Sequence, residues 1–285
     1  RELGASVEVR VLERQPDVGG KAVTMSRDGW LVETGPTGYL DNQPEVDRLV
    51  TWAGLNKLPA DAASARRFLV RGGRMREILT SPLGFARAGI LGPTGLLRLA
   101  AEPLVPRRPP EKGDETVWDF AARRIGRQAA DRMIAPMVLG VFAGDARQLS
   151  LPAAFPKMRE IENEHGSLVR GMIARARQKR LQGGPAGPSG TLTSFADGLQ
   201  ELPRALARHP DIAVHTASPA QALAVTPDGR FEIAANGDKL EADAVVLAVE
   251  PWAAAGLLAP IRPESARLLE EIETPPVSVV ALGFG

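Results

Sequence analysis

A short apolar strand that ends in an acid and is followed by a glycine pair limits the folds open to this chain. Residues 7–13 read Val-Glu-Val-Arg-Val-Leu-Glu, and Gly19-Gly20-Lys21 follow. In dinucleotide-binding βαβ folds, an acid at the end of the second strand hydrogen-bonds a ribose about 20 residues after a glycine-rich phosphate turn. That turn would precede residue 1. We therefore expect the chain to be an excerpt of a longer protein.

Composition excludes several kinds of site. The 285 residues have a net charge of +1 and contain no cysteine, which excludes disulfides, thiolate nucleophiles and thiolate metal centres and leaves redox chemistry to a bound cofactor. The three histidines have no metal-ligand spacing, and the near-zero charge argues against a nucleic-acid partner. No apolar run reaches the roughly 18 to 20 residues of a membrane-spanning helix, which favours a cytoplasmic setting.

Local patterns predict an α/β (α+β) fold. Turn, cap and alternation signals mark the elements. They predict hairpins at 23–32 and 68–79, helices at 44–54 and 199–207, a helix opened by the capping box Thr116-x-x-Asp119, a meander with turns at 227–229 and 236–238, a buried strand at 244–249 and a last strand at 277–282.

The order of these elements predicts a Rossmann-like dinucleotide-binding domain interleaved with a substrate domain and an inserted helical domain. The predicted segments are 1–55 (dinucleotide-binding, first part), 56–80 (substrate-domain β segment), 81–182 (helical domain), 190–260 (dinucleotide-binding, return) and 261–285 (substrate domain, incomplete).

Longer motifs make the chain resemble a known family. Glu33-Thr34-Gly35-Pro36 is similar to a turn that lies against a flavin in the flavin amine oxidase superfamily. Gly140-Val-Phe-Ala-Gly-Asp145, Glu164-His-Gly-Ser-Leu168 and Ser194-Phe-Ala-Asp-Gly-Leu-Gln-Glu-Leu-Pro203 resemble segments of the oxygen-dependent protoporphyrinogen oxidases within that superfamily. The resemblance covers almost the whole chain and implies a flavoprotein that binds FAD.

The resemblance also implies where FAD would bind. Glu13 would bind the adenosine ribose, the backbone of Ala220 would meet the adenine, and the Gly35–Gly38 turn would lie under the isoalloxazine. The cofactor-binding residues expected in this way are Glu13, Arg14, Gly19, Gly20, Lys21, Gly35, Pro36, Thr37, Gly38 and Ala220. Glycines let backbone amides approach a flat or anionic ligand, and a carboxylate accepts from two vicinal hydroxyls.

For the substrate, the resemblance assigns Arg67 to a propionate of a porphyrinogen, which a guanidinium fork can bind bidentately. The implied reaction is hydride transfer from a meso carbon to flavin N5, repeated three times, with O2 reoxidising the flavin to give hydrogen peroxide. The substrate would be protoporphyrinogen IX or coproporphyrinogen III. No general base is assigned, because the cofactor carries the chemistry.

Several alternatives stay open at this point. Glu13 and Arg67 also suit an exposed strand end and a solvated surface, and Asp145 and His165 suit helix caps better than catalysis. The chain could instead be an amine oxidase, a carotenoid desaturase, or an inactive fragment that cannot retain FAD. Residues 83–105, rich in leucine, suit either a peripheral membrane contact or a domain core. A homodimer is a further open expectation.

Overall fold

The computed structural model describes residues 7–79, 81–109, 113–181 and 190–283. The chain divides into two compact units, of which the first joins Arg1–Ala60 to Gly190–Gly285 and the second is Asp61–Ser189. The predicted scheme of five segments stays a prediction, and its boundaries at 1, 80, 182 and 285 lie outside the described residues.

The elements are short strands and short helices. The strands are β1 (Arg10–Leu12), β2 (Thr24–Arg27), β3 (Trp30–Glu33), β4 (Tyr39–Leu40), β5 (Leu58–Pro59), β6 (Phe68–Arg71), β7 (Arg74–Glu77), β8 (Leu192–Ser194), β9 (Ala213–His215), β10 (Ala220–Val225), β11 (Phe231–Ala235) and β12 (Asp238–Ala242). The helices are α1 (Pro44–Trp52), α2 (Pro82–Arg87), α3 (Pro93–Ala100), α4 (Val117–Arg124), α5 (Arg127–Ala129), α6 (Ala135–Phe142), α7 (Leu151–Ala154), α8 (Pro156–His165), α9 (Leu168–Leu181), α10 (Glu201–Ala207), α11 (Pro251–Leu258) and α12 (Pro263–Glu270).

Both predicted hairpins form, and their turns explain why. Between β2 and β3, Asp28 and Gly29 have φ of 52° and 81°, the left-handed pair that a two-residue turn needs to match strand twist. Between β6 and β7, Gly72 and Gly73 fill the same positions at 58° and 69°. The two-residue turns thus determine how the strands of each hairpin pair.

In the first unit, strands that are far apart in the sequence pair with one another. β1 pairs in parallel with β9, and β8 lies between β4 and β5 in a three-stranded antiparallel sheet. The predicted meander is present as β10–β11–β12, with Asn236 and Gly237 in the left-handed region at its second turn. A small core of Val50, Phe195 and Leu199 joins α1 to the residues that follow β8.

In the second unit, the described residues form helices and the β6–β7 hairpin. The predicted capping box begins α4, since the Thr116 hydroxyl oxygen accepts from Asp119 N at 3.0 Å and its hydroxyl donates to Asp119 Oδ2 at 2.8 Å. A π-helical turn at Ala130–Ile134 precedes α6. One core is built around Phe120 and Val138, and another around Ile90 and Leu91.

Two predicted strands are wrong. Residues 244–249 and 277–282 run as irregular chain, and Val246 is 89% exposed. Their β-branched residues suit a strand, but a strand exists only where a neighbouring backbone accepts and donates its ladder bonds. Within the described part of the chain, neither segment pairs with another strand.

Residues 83–105 show both properties that their composition suggested. Ile90 and Leu91 are buried, whereas Leu83, Leu97 and Leu104 are 62%, 72% and 82% exposed. Among the described residues, no helix has the length and apolar character needed to cross a membrane. The exposed leucines could meet a surface, so peripheral membrane contact stays a prediction.

Candidate cofactor site

The loop after β1, residues 13–22, is called the first loop here. Glu13 begins it, with its amide donating to His215 O at 2.8 Å and its carbonyl accepting from Ser218 N at 2.8 Å. Its carboxylate Oε1 accepts from Gln15 N at 2.6 Å, whereas Oε2 has no hydrogen-bond donor among the described residues. The β1–β9 pair thus holds Glu13 at a strand end with one carboxylate oxygen available, while Arg14 beside it is exposed.

The glycines of the first loop take conformations that other residues rarely adopt. Gly19 has φ of 126° and Gly20 has φ of 58°. A Cβ at Gly19 would lie 2.7 Å from Ala22 O, so a larger residue would strain this turn in two ways. Lys21 is mostly exposed, and its Nζ lies 3.3 Å from Glu250 Oε1.

The turn after β3, residues 34–38, is called the second loop, and it touches the first. A Cβ added to Gly35 would overlap the carbonyl oxygen of Lys21. A Cβ on Gly38 would lie 2.7 Å from Thr193 O in β8. Pro36 and Thr37 between them are exposed. Glycines are therefore required at 35 and 38 because the backbones of neighbouring segments pass so close.

Three side chains, called the clamp, join these two loops: Thr24, Glu33 and Gln200. Glu33 accepts from the Thr24 hydroxyl at 2.8 Å and from Leu199 N at 2.7 Å. Gln200 accepts from Thr24 N at 3.1 Å and donates to Val18 O at 2.8 Å. The sequence motifs contained Glu33 and Gln200, but sequence reasoning gave neither a role.

An ion pair holds the outer side of the first loop. Asp17 Oδ2 accepts from Arg204 Nε at 3.0 Å and from Nη2 at 2.5 Å. The hydrogen bond from Arg204 lowers the pKa of Asp17 below its ordinary value of 3.8. Asp17 is thus a fixed anion at neutral pH, bound to α10.

Ala220 follows shortly after a segment that is hydrogen-bonded to the first loop. It begins β10, two residues after Ser218, whose amide bonds Glu13 O. A second backbone hydrogen bond joins the same two segments, since Ala217 N donates to Gln15 O at 2.8 Å. The structure therefore brings together the predicted cofactor residues at 13–21, 35–38 and 220 in the first unit, although contact with FAD stays a prediction for each of them.

Arg67 lies in the second unit, at the start of the β6–β7 hairpin. Its Nη1 donates to Ser64 O at 2.7 Å, and the side chain is exposed. Arg66 is engaged differently, with Nε and Nη2 both donating to Glu77 at 2.8 Å. Of the two neighbouring arginines, Arg67 is thus the one whose guanidinium group keeps N–H donors available to a ligand.

The Glu164–Leu168 motif is part of a buried ionic network, which sequence reasoning missed. Glu102, fully buried, accepts from the Ser167 hydroxyl at 2.5 Å and from Leu168 N at 2.8 Å, so it caps α9. Arg124, also fully buried, donates to Glu102 and to Gly166 O. Burial pushes the pKa of Glu102 up, but these hydrogen bonds outweigh it and hold the pKa below 4.5.

The same network includes two further buried carboxylates. Arg123 donates to Glu115 from Nε at 2.9 Å and to Glu162 from Nη1 at 2.7 Å, and Arg159 Nη1 lies 3.4 Å from both. His165 Nε2 lies 3.6 Å from Glu164 Oε2 at the end of α8, and Asp145 Oδ1 accepts from Arg147 N in a turn. Asp145 thus caps a turn, and the helix-cap alternative for the two residues stays a prediction.

The groups along the two loops suit FAD. Gly19 and Gly20 place no side chain over the backbone amides, as close approach of a diphosphate requires. The free oxygen of Glu13 suits ribose hydroxyls, and the contact between Gly35 and Lys21 O makes the two loops one continuous surface.

The sequence of this chain is similar to those of characterised relatives. The coproporphyrinogen III oxidase of Bacillus subtilis strain 168 is 28% identical over 293 residues, covering 100% of this chain and 62% of the relative. Protoporphyrinogen oxidase 1 of Arabidopsis thaliana chloroplasts is 27% identical, over 98% of this chain and 54% of the relative. The chain thus spans between half and two thirds of the length of these relatives.

A solved structure and a family profile complete the comparison. The crystal structure of a protein from Exiguobacterium sp. 255-15, provisionally assigned as a protoporphyrinogen oxidase, matches with a TM-score of 0.73 at 24% identity, over 93% of this chain and 58% of that one. The profile described as flavin containing amine oxidoreductase matches residues 3–285. The chain therefore belongs to the flavin containing amine oxidoreductase family, and its cofactor is FAD.

Proposed function

We propose that this chain serves the FAD-dependent oxidation of a porphyrinogen, protoporphyrinogen IX or coproporphyrinogen III, to the porphyrin with O2 as acceptor. The observation that carries the proposal is the pair of touching glycine loops beside Glu13, in a chain whose curated relatives include porphyrinogen oxidases. The resemblance of 140–150, 164–168 and 194–203 to porphyrinogen oxidase segments favours this substrate class over amines and carotenoids.

When bound, FAD would supply a hydride acceptor at flavin N5, with O2 as the final electron acceptor that is reduced to hydrogen peroxide. The protein's own part is binding and positioning. Glu13 would accept from the ribose hydroxyls, and the amides around Gly19 and Gly20 would bind the diphosphate. The second loop, in which Gly35 and Gly38 leave no room for a larger side chain, would support the flavin.

Arg67 would hold a propionate of the porphyrinogen. Only its Nη1 bonds to the described protein, to the carbonyls of Ser64 and Arg66, so that Nε and Nη2 remain for a carboxylate. Charge-assisted bonds of this kind give orientation as well as affinity. Removal of the hydride then needs no protein base at this site.

Glu13→Ala tests the cofactor half of the proposal. Loss of a charged acceptor for the ribose should weaken FAD binding by about 1.5 to 3 kcal/mol, which is roughly 10- to 150-fold in Kd. Kd is measured by the quenching of flavin fluorescence. Glu270→Ala, at an exposed acid of α12, is the matched control and should leave Kd unchanged. An unaltered Kd for Glu13→Ala would remove the ribose role.

Arg67→Ala tests the substrate half. It should raise KM for the porphyrinogen by roughly 10- to 100-fold, because a charge-assisted hydrogen bond is lost, while FAD content stays the same. Arg74→Ala, at an exposed arginine of the same hairpin, is the control. Equal kinetics for both variants would show that Arg67 is a solvated surface residue. A protein that fails to bind FAD at all would instead support the noncatalytic alternative.

A further inference from the structure

Gln200 spans the glycine turn of the first loop. Its side chain donates from Nε2 to Val18 O at 2.8 Å, just before Gly19, and accepts at Oε1 from Thr24 N at 3.1 Å, just after the loop. Nε2 also lies 3.3 Å from Asp17 Oδ2. The residue is 3% exposed, so these bonds form away from bulk water and are costly to leave unmade.

The turn that Gln200 spans has little support of its own. Between β1 and β2, a single backbone bond closes it, from Ala22 N to Gly19 O at 2.9 Å. Gly19 and Gly20 both have positive φ, and glycine is the residue with the greatest backbone freedom in an unfolded chain. The amide of Gln200 thus determines the separation of residues 18 and 24, and with it the shape of the turn.

The other two clamp residues extend this control to the second loop. Thr24 Oγ1 accepts from Gln200 N at 3.2 Å and donates to Glu33 Oε2 at 2.8 Å. Glu33 ends β3 directly before the second loop, and its Oε1 accepts from Leu199 N at 2.7 Å. Gly198 must be a glycine here, because a Cβ would collide with Thr24 and Glu33. One buried hydrogen-bonded cluster therefore fixes both loops.

We propose that Gln200 is a positioning residue for the cofactor: it holds the Gly19–Lys21 turn in the shape that accepts the FAD diphosphate and, through Thr24 and Glu33, in register with the second loop. The inference rests on the proposed function, since it assumes that FAD occupies these loops. It assigns to Gln200 no contact with FAD.

Gln200→Glu tests the inference with almost no change of volume. The carboxylate could still accept from Thr24 N, but it could not donate to Val18 O, and it would stand beside the Asp17 anion. FAD Kd should rise at least about tenfold, the effect of one buried donor bond lost and one carbonyl left unsatisfied. The Kd of AMP, which carries the ribose and only one of the two phosphates, should rise by a clearly smaller factor than the Kd of FAD, because AMP makes fewer contacts with the turn.

The comparison of the two ligands separates positioning from general loosening. A partly unfolded protein would lose affinity for FAD and AMP by the same factor, and this result would overturn the inference. An unchanged FAD Kd in Gln200→Glu would overturn it as well, with the proposed function intact. If the unaltered protein bound no FAD, the proposed function would fail first and the inference with it.

A control and a second variant complete the experiment. Gln43→Glu places the same change at the exposed N-terminus of α1, where the side chain makes no capping bond, and should leave both affinities unchanged. Thr24→Val removes the hydroxyl between Gln200 N and Glu33 at equal size. If Gln200→Glu does not fold, Thr24→Val must still weaken the binding of FAD more than the binding of AMP. An equal effect on both affinities would overturn the inference.

Discussion

Two regions that carry the same family resemblance are built in opposite ways. The Glu164–Leu168 region places full charges in the interior, where Glu102, Arg124 and Glu162 are completely buried and Arg124 pairs with both carboxylates. The glycine loops of the first unit instead keep Gly20, Lys21, Pro36 and Thr37 at the surface. The first arrangement pairs its charges within the protein, whereas the second leaves polar backbone and side chains at the surface. Motifs shared with one family thus organise the interior in one place and, as we propose, a ligand site in the other.

The largest effect is expected where the buried charges lose their partner. Arg124→Ala should lower the free energy of unfolding by about 3 to 5 kcal/mol, since Glu102 would remain buried without its cation. Urea denaturation measures this. Arg127→Ala, three residues away and exposed, should stay within about 0.5 kcal/mol of the unaltered protein. Similar losses for both variants would mean that the network is not what stabilises the second unit.

A smaller effect should follow from crowding the contact between the two glycine loops. Gly35→Ala forces a methyl group against Lys21 O and should cost about 1 to 3 kcal/mol of stability, together with most of the FAD affinity. Gly256→Ala in α11 meets nothing within 4 Å and should stabilise the helix by up to about 1 kcal/mol. Thermal unfolding and cofactor titration measure both. An unaffected Gly35→Ala would show that the loops can separate without consequence.

The smallest effect is expected in acid. The folded pKa of Glu102 lies below its ordinary value, so its ionised form stabilises the fold above about pH 4.5 and this contribution is lost as pH falls through the lowered pKa. Ser167→Ala removes one of the bonds that lower it, and a cap of α9, at a cost of about 0.5 to 2 kcal/mol. The variant should therefore unfold at a higher pH in an acid titration followed by circular dichroism. Ser26→Ala, on exposed β2, should match the unaltered protein.

Local signals in the sequence were enough to predict the elements that depend on them. Asp28-Gly29 and Gly72-Gly73 decide their hairpins within two residues, and Pro44 and Gly54 mark the limits of α1. The strand at 244–249 was wrong because pairing partners cannot be read from the segment itself.

Only those residues of the candidate site that belong to sequence motifs were predictable. Glu13, the glycines and Ala220 were placed together from the resemblance, and the structure shows them in one unit. The clamp was not predicted, because Glu33 and Leu199 are 166 residues apart and Gln200 and Val18 are 182 apart. The same holds for Glu102 and Ser167, which are 65 residues apart. Hydrogen bonds of this range leave no periodic signal in a single sequence.

The discontinuity of the first unit has a consequence for how the protein is made. Residues 61–189 form a continuous unit, so all of its contacts are available to a growing chain before residue 190 leaves the ribosome. The clamp needs Gln200, and bringing it to Thr24 closes a loop of 176 residues, which is slower than forming local helices. Because domains fold as units during synthesis, the helical unit should be folded first. The cofactor loops, which depend on Gln200, should then take shape after the helical unit.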